Sequence, residues 1–409
     1  MITAHELPEL THVEGGVTAP LGFSCSGVAA GLKSRGRLDL ALISATRTVP
    51  AAAVFTTNLV AAAPVVVSRS HIAGGEARAV VINAGNANAC TGAQGELDAL
   101  TMASAAAEAL DCPQERIIVS STGVIGVPLP VAKIVRAIPS AVAGLDGANG
   151  QAAAEAIMTT DTFAKQTAVT LKIAERTYTV GGMAKGSGMI APNMATMLAV
   201  ITTDAPLTSE ACHAALRSAV GSTFNRVTVD SDMSTNDMAV LMASGEAGGE
   251  AISVGDAAFV PVVAAIHAVA EELARMIARD GEGASKLITV TVCGAVCESD
   301  AELAAFAIAN SPLVKTAIFG RDANWGRVAM AIGKSGAQVD PQAFDITLAG
   351  IAVCSAGAAL DFDEAAALGA LSESEVEIAV DLHVGDRQAT VWTCDLTYDY
   401  VRINGEYRS

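Results

Sequence analysis

The 409-residue chain predicts an α+β protein in which sheets and helices pack in layers. Three observations carry that prediction. Short β-branched runs such as Ala41-Leu42-Ile43 and Pro64-Val65-Val66-Val67 recur between Gly and Pro. Alanine-rich stretches of helical length, such as Glu96 to Leu110 and Ala257 to Ala278, lie among them. Arms near Ala168 to Ile173 and Thr177 to Met183 flank a short polar turn, the pattern of an antiparallel hairpin.

In chain order, residues 13–83 read as strands of a layered sheet, the last of them Arg78 to Asn83. It runs into Ala84 to Gly92, a loop rich in residues that tolerate positive φ, which reads equally well as a plain surface connection. The helix Glu96 to Leu110 stops near Pro113, and the strand Arg116 to Val119 ends in Ser120-Ser-Thr-Gly-Val-Ile-Gly126. Helices follow over Pro130 to Ala137 and Gly150 to Ile157, then a polar loop, Thr159 to Thr162, and the hairpin. Past Thr196 come a strand (Met197 to Thr202), a helix (Ser209 to Val220), a strand (Arg226 to Val229), the loop Asp230 to Asp237 and a strand (Met238 to Met242). The helix Ala257 to Ala278 meets a polar stop at Asp280-Gly-Glu-Gly283. The last third alternates strands (Lys286 to Val292, Phe344 to Ala352, Val376 to Val384, Gln388 to Thr397) with helices near Asp300 to Ala309 and Trp325 to Ile332. No internal repeat or flexible linker interrupts the pattern, although the length predicts two or three domains.

Composition narrows the class. Hydrophobic residues are 51% but aromatics only 4%, so the core is expected to be aliphatic. Charged residues are 17%, which predicts that some apolar surface is covered by another subunit. A net charge of −18 with no basic run argues against nucleic acid or an anionic membrane as partner. Eight cysteines without a C-x-x-C pair, behind a polar N-terminus, read as reduced thiols of a soluble cytoplasmic protein. The longest uncharged stretch, Thr48 to Ser68, is broken by prolines and polar residues and is no membrane span.

No nucleophile elbow, zinc signature or phosphate loop is present, and the six histidines share no motif, so neither cofactor nor metal is expected. The acidic loop Asp230 to Asp237 lacks the glycine and closing glutamate of a calcium loop. What remains is Lys185 to Ala199, a glycine-rich approach with Ala195 and Thr196 before an apolar run. An internal threonine is a weak nucleophile. At a chain N-terminus its own α-amine acts as base, so self-cleavage between Ala195 and Thr196 would activate it. Thr122 and Gly123, at a strand end, are plausible donors to an oxyanion. On composition alone a glycine-rich turn before a strand, and a loop glycine at 123, are the simpler readings.

Five further blocks decide between these readings. Lys185-Gly-Ser-Gly-Met-Ile-Ala-Pro-Asn-Met-Ala-Thr196-Met-Leu resembles the self-cleavage segment of the ornithine acetyltransferase family, the bifunctional glutamate N-acetyltransferases of arginine biosynthesis. Asn83-Ala-Gly-Asn-Ala-Asn-Ala-Cys-Thr-Gly92, Ser121-Thr-Gly-Val-Ile-Gly126, Asp280-Gly-Glu-Gly283, Gly320-Arg-Asp-Ala-Asn-Trp-Gly-Arg327 and Tyr400-Val-Arg-Ile-Asn404 resemble it in the same order, nearly end to end.

The resemblance implies Thr196 as nucleophile of both maturation and transfer, with Ala195–Thr196 the bond cut and Thr122 and Gly123 the oxyanion hole. It implies substrate contacts from Thr159, Lys185, Thr196, Glu282, Asn404 and Ser409. Its fold is a layered αββα arrangement like that of N-terminal-nucleophile hydrolases, with a smaller α/β C-terminal domain. Residues 1–195 would form the α chain and 196–409 the β chain, the latter completing the catalytic core over 196–284 and forming the C-terminal domain over 285–409. Two chains of each kind would assemble as a heterotetramer. The expected reaction is ping-pong transfer from N2-acetylornithine to glutamate without a cofactor, and the resemblance leaves open whether acetyl-CoA is a second donor. The alternative is an amidase or aminopeptidase using the same Thr196. Ser231 and Met233 replace the usual Gly and Thr of the acidic loop, while Ser285 and Ser409 keep the hydroxyl of the commoner Thr.

Overall fold

A computed structural model of the chain describes residues 9–148, 150–191 and 197–406. The expectations for Ala195, Thr196 and Ser409 fall outside these residues. Among the described residues, nine strands form the larger sheet system: β1 (Leu10–His12), β2 (Phe23–Val28), β3 (Leu40–Phe55), β4 (Glu76–Asn86), β5 (Ile117–Val124), β6 (Lys165–Ile173), β7 (Arg176–Lys185), β8 (Leu198–Thr203) and β9 (Met238–Ala243). Their order is β1-β6-β7-β8-β9-β3-β4-β5, with β2 paired to β3. The 16-residue β3 belongs to two sheets, pairing with β2 and β4 up to Pro50 and with β9 from Ala51 onward.

Helices α1 (Ala63–His71), α2 (Gly92–Ala109), α3 (Val131–Ala143), α4 (Gly150–Ile157), α5 (Ser209–Ser222) and α6 (Phe259–Arg279) cover these sheets. Side-chain alternation, with successive residues on opposite faces, sorts the layers. Leu198 and Val200 of β8 join Val80, Ile82 and Ile118 of β4 and β5 in a core between the two sheets. Ala199 and Ile201 face the other way, onto Leu216 of α5 and Leu273 of α6. Val81, Ile117 and Val119 turn outward onto Met102 of α2 and Ile134 of α3. Helix, sheet, sheet, helix is thus the layer order, and the cores are aliphatic as the composition predicts. Each fully buried Leu, Ile or Val contributes about 1.5–3 kcal/mol.

A second sheet of β10 (Leu287–Ala295), β11 (Asp345–Leu348), β12 (Ile351–Ser355), β13 (Ala358–Ala359), β14 (Glu375–Asp381) and β15 (Arg387–Cys394) runs in the order β13-β12-β11-β14-β10-β15. Helices α7 (Glu298–Ala309), α8 (Pro312–Phe319) and α9 (Trp325–Gly333) pack on it around a core of its own, with α10 (Glu364–Ala370) beside them. Leu287, Trp392 and Cys394 belong instead to the core beneath α5 and α6, which fastens this part to the larger one. Helix α11 (Tyr398–Glu406) ends the described chain.

Three expected strands are corrected. Pro64 to Val67 lies in α1, where proline at the first turn costs no hydrogen bond and Val65 and Val67 pack inward. Phe344 to Ala352 is two strands, because Ala349 and Gly350 both take positive φ (48° and 81°) and turn the chain into a hairpin. Arg226 is the last residue of a short 3-10 turn, and Val227 to Val229 makes only one bridge among the described residues, Val227 to Trp392 of the second sheet.

Candidate active site

The strand ends of β4, β5 and β7 meet at one cavity. Ser121 Oγ donates to Asn83 Oδ1 at 2.6 Å, and Asn83 Nδ2 donates to the Asn86 carbonyl at 2.9 Å. Asn86 Nδ2 reaches the Val127 carbonyl at 3.1 Å, and Asn86 Oδ1 accepts the Asn88 amide at 2.8 Å. The asparagine-rich loop is therefore a buried scaffold and no plain connection. It fixes Thr122 and Gly123 at the cavity wall. Gly123 has φ 132°, and a Cβ there would stand 2.4 Å from the Gly85 carbonyl carbon, so only glycine lets β5 lie against β4 at this point.

Lys185, the last residue of β7, is 2% exposed and lies 3.7 Å from Asp161. Asp161 also binds Lys165 at 2.7 Å and accepts the amides of Gly186 (2.8 Å) and Thr159 (2.9 Å). Burial alone would raise its proton affinity, but the charges of Lys185 and Lys165 outweigh that and hold the carboxyl well below the usual carboxylate range. Lys165 pairs with Asp280 as well, and Asp280 accepts the Thr162 amide at 3.0 Å. Two buried cations and two buried carboxylates thus hold the Thr159 loop, β7 and the end of α6 together.

Beyond α6 the chain turns through Asp280 to Gly283. The Glu282 amide donates to the Ser187 carbonyl at 2.9 Å, and its carboxylate accepts Asn404 Nδ2 of α11 at 2.7 Å. Gly188 leaves room for it: a Cβ there would be 2.4 Å from Glu282 Oε2.

The loop Asp230 to Asp237 holds both sides of the stretch 192–196. Asp230 accepts the amides of Met189 (2.6 Å) and Ile190 (2.8 Å), and Asp237 accepts that of Met197 at 3.1 Å. Asn236 Nδ2 donates to the carbonyls of Ala87 (2.7 Å) and Ser121 (2.8 Å), tying the same loop to the end of β5. Tyr400 Oη donates to Asp230 at 3.4 Å, and burial, with Asp230 and Glu282 nearby, raises its phenol above the usual value.

The cavity spans about 570 Å3 with its open mouth included. Thr122, Gly123, Thr159, Lys185, Glu282 and Asn404 all line it, so every site residue expected from sequence and described here converges on one place. Met189, from the stretch Lys185 to Ala199, lines it as well, and so do Ser234 and Asn236, which were missed. The signal for these two was the polar run Ser234-Thr-Asn-Asp237, which gives no hint of where it folds. A buried ammonium and a carboxylate beside strand-end amides suit a small zwitterion and an anionic acyl intermediate. Among the described residues no group of three or more His, Cys, Asp or Glu is arranged to hold a metal ion.

Fold and site together define an αββα-layered enzyme acting on a small charged molecule. The family model described as the ArgJ family matches residues 24–409. The arginine biosynthesis bifunctional protein ArgJ of Symbiobacterium thermophilum is 54% identical over 397 residues, 97% of this chain and 99% of that one. The protein of the same name from Caldanaerobacter subterraneus subsp. tengcongensis is 50% identical over 401 residues, 97% of this chain and 99% of that one. Of solved structures, an arginine biosynthesis bifunctional protein from Bacillus halodurans is 45% identical, covers 50% of this chain and 97% of its own, with a TM-score of 0.49. An ornithine acetyltransferase from Mycobacterium tuberculosis, solved with ornithine, is 42% identical, covers 45% of this chain and 98% of its own, with a TM-score of 0.42. This chain belongs to the ArgJ family.

Proposed function

We propose that the chain cuts itself between Ala195 and Thr196 and then moves the acetyl group of N2-acetylornithine to glutamate through an acetyl-Thr196 ester. Membership of the family makes it an acyltransferase of arginine biosynthesis. The convergence of Thr122, Gly123, Thr159, Lys185, Glu282 and Asn404 on one cavity, with Asp230 and Asp237 holding Met189, Ile190 and Met197, is the observation that supports the residue roles.

Thr196 attacks the acetyl carbonyl, with its freed α-amine as base. The Gly123 amide and the Thr122 hydroxyl stabilise the oxyanion, a contribution worth about 10²–10³ in rate per donor. Ornithine leaves, and the α-amine of glutamate attacks the ester. Lys185 pairs with a substrate carboxylate, Glu282 with an ammonium, and Asn404, Thr159 and Ser409 complete the contacts. Transfer also needs water kept from the ester while ornithine leaves and glutamate enters. The curated relatives bear a biosynthetic name, which favours transfer over an amidase or aminopeptidase. Their designation as bifunctional extends the proposal to acetyl-CoA as second donor, decided by assaying acetyl-CoA with glutamate. The comparison of ornithine release with and without glutamate tests the transfer itself: equal rates mean hydrolysis.

The two fragments stay associated after the cut for a topological reason. β8 and β9, from the C-terminal side, lie between β7 and β3 of the N-terminal side, so separating the fragments breaks a continuous sheet. The proposed division is into residues 1–195 and 196–409, the latter with a C-terminal part from 285. The proposed assembly is a heterotetramer of two chains of each kind. No helix among the described residues is long and apolar enough to cross a membrane, and cytoplasm is the proposed location.

A further inference from the structure

The chain has a formal net charge of −18, yet Lys33, Arg35 and Arg37, spaced by Ser34 and Gly36, crowd the turn that joins β2 to β3. Asp39, fully buried, fixes this turn by accepting the amides of Ala30 (2.5 Å), Leu32 (2.5 Å) and Lys33 (2.8 Å). Arg35 and Gly36 both take positive φ (62° and 68°) and form its tip. Lys133 of α3 reaches the same turn, its Nζ donating to the Gly31 carbonyl at 2.7 Å. Elsewhere the guanidinium groups of Arg116, Arg226, Arg275 and Arg279 are tied to glutamates. Arg35 and Arg37 are exposed and have no ion-pair partner among the described residues.

A second cavity, about 730 Å3 with its open mouth included, lies between this turn and the end of α4. Lys33, Arg37, Glu155, Thr159 and Asp161 supply its polar wall. Thr159 lines the active cavity as well, so the two spaces are neighbours across one residue. Both carboxylates in the wall are already engaged, Asp161 with Lys165 and Lys185, and Glu155 with Gln151 at 2.8 Å. Lys33 Nζ donates to the carbonyls of Leu38 (2.8 Å) and Ala156 (2.9 Å) and touches no carboxylate among the described residues. Burial lowers its pKa to about 8, against the attraction of Asp39. An ammonium held by neutral acceptors beside two free guanidinium groups makes a wall that attracts anions.

The active cavity has one cation in its lining, Lys185, and that group already lies beside Asp161. One cation suits the carboxylate of an amino acid, but it leaves nothing for a donor that carries several phosphates. We propose that the cavity walled by Lys33 and Arg37 holds the phosphate-bearing nucleotide end of a coenzyme A thioester. The proposal rests on the reading of acetyl-CoA as second donor. Guanidinium groups pair with phosphate through two parallel hydrogen bonds, and a cluster of cations suits a group with more than one negative charge. The arm of the thioester would then pass Thr159, and its acyl end would enter the cavity lined by Thr122 and Gly123. N2-acetylornithine and glutamate carry no phosphate and have no use for this second cavity.

The test measures N-acetylglutamate formed by the full protein from acetyl-CoA and from N2-acetylornithine, each donor varied in turn. Arg35→Gln combined with Arg37→Gln removes two charges from an exposed turn and leaves the Asp39 contacts in place. KM for acetyl-CoA should rise about 10–100-fold relative to KM for N2-acetylornithine, the size of lost charge-assisted hydrogen bonds. Equal changes for both donors overturn the proposal. Should the double variant not fold, wild type decides with S-acetylpantetheine, which has the arm and the thioester but no phosphate. Its KM should lie about tenfold or more above that of acetyl-CoA, and an equal KM overturns the proposal. Inorganic pyrophosphate separates a free anion from the nucleotide: competition with acetyl-CoA as strong as that of coenzyme A would assign the cavity to free phosphate and overturn the proposal. If wild type makes no N-acetylglutamate from acetyl-CoA, the second-donor reading falls. Calorimetry with coenzyme A then decides the cavity by itself: binding that the double variant loses upholds it, and no binding overturns it.

Discussion

Asn404 Nδ2 donates to Glu282 Oε2 at 2.7 Å, so the last described helix reaches back to the turn that follows α6. A carboxylate in that position, 8% exposed and with one neutral donor, is suited to receive an ammonium. Glu282→Gln keeps the size and the Asn404 contact while removing the charge. It should raise KM for N2-acetylornithine about 10–100-fold, the size of a charge-assisted hydrogen bond, with a smaller effect on glutamate. Steady-state kinetics with each substrate varied in turn checks this; equal rises for both would mean that Glu282 does not read the ornithine ammonium.

Gly188→Ala should act through the same carboxylate. The added methyl would stand 2.4 Å from Glu282 Oε2, and the carboxylate must leave its present position. KM for N2-acetylornithine rises, and combining the change with Glu282→Gln adds little, because both remove one interaction. Full additivity of the two effects would contradict the shared cause.

Asp161→Asn should destabilise the fold by about 3–5 kcal/mol, the cost of leaving a buried charge network one partner short. Lys165 would keep only Asp280, and Lys185 would lose its carboxylate. Since the Asp161 carboxyl lies below its ordinary value of 3.8 in the folded chain, its contribution is complete above that value and is lost as pH falls through the folded-state one. Urea unfolding should thus show a gap between wild type and variant that is constant near neutrality and closes only in strong acid.

Asn236→Ala removes two hydrogen bonds that hold Ala87 and Ser121, and with them the approach to Thr122 and Gly123. The expected outcome is a fall in kcat of about tenfold or more with KM little changed, since oxyanion donors act mainly in the transition state. A change confined to KM would place Asn236 at the substrate instead.

Much of the layered fold was legible because β-strand alternation and helical spacing are local. The hairpin of β6 and β7, the helices α4, α5 and α6, and the strands β8 and β9 fall within a few residues of their expected limits. Pro64 to Val67 misled because β-branched residues suit a strand, whereas packing made them a helix. The pocket contacts came from resemblance, and glycine composition alone would have left Lys185 to Ala199 as a turn. The loop Asp230 to Asp237 was weighed only as a calcium site. Its work is done on backbone amides 40 residues or more upstream, at Met189, Ile190 and Met197, and such long-range pairing leaves no mark in local sequence.

The central claim is that an acetyl group rests on Thr196 between donor and acceptor. The most direct measurement is mass spectrometry of the 214-residue fragment after mixing with N2-acetylornithine alone. The account predicts one added acetyl group on the peptide that begins at Thr196, discharged when glutamate is supplied. A fragment that stays unmodified while ornithine is released, or a single uncut chain of 409 residues that transfers acetyl at full rate, would contradict it.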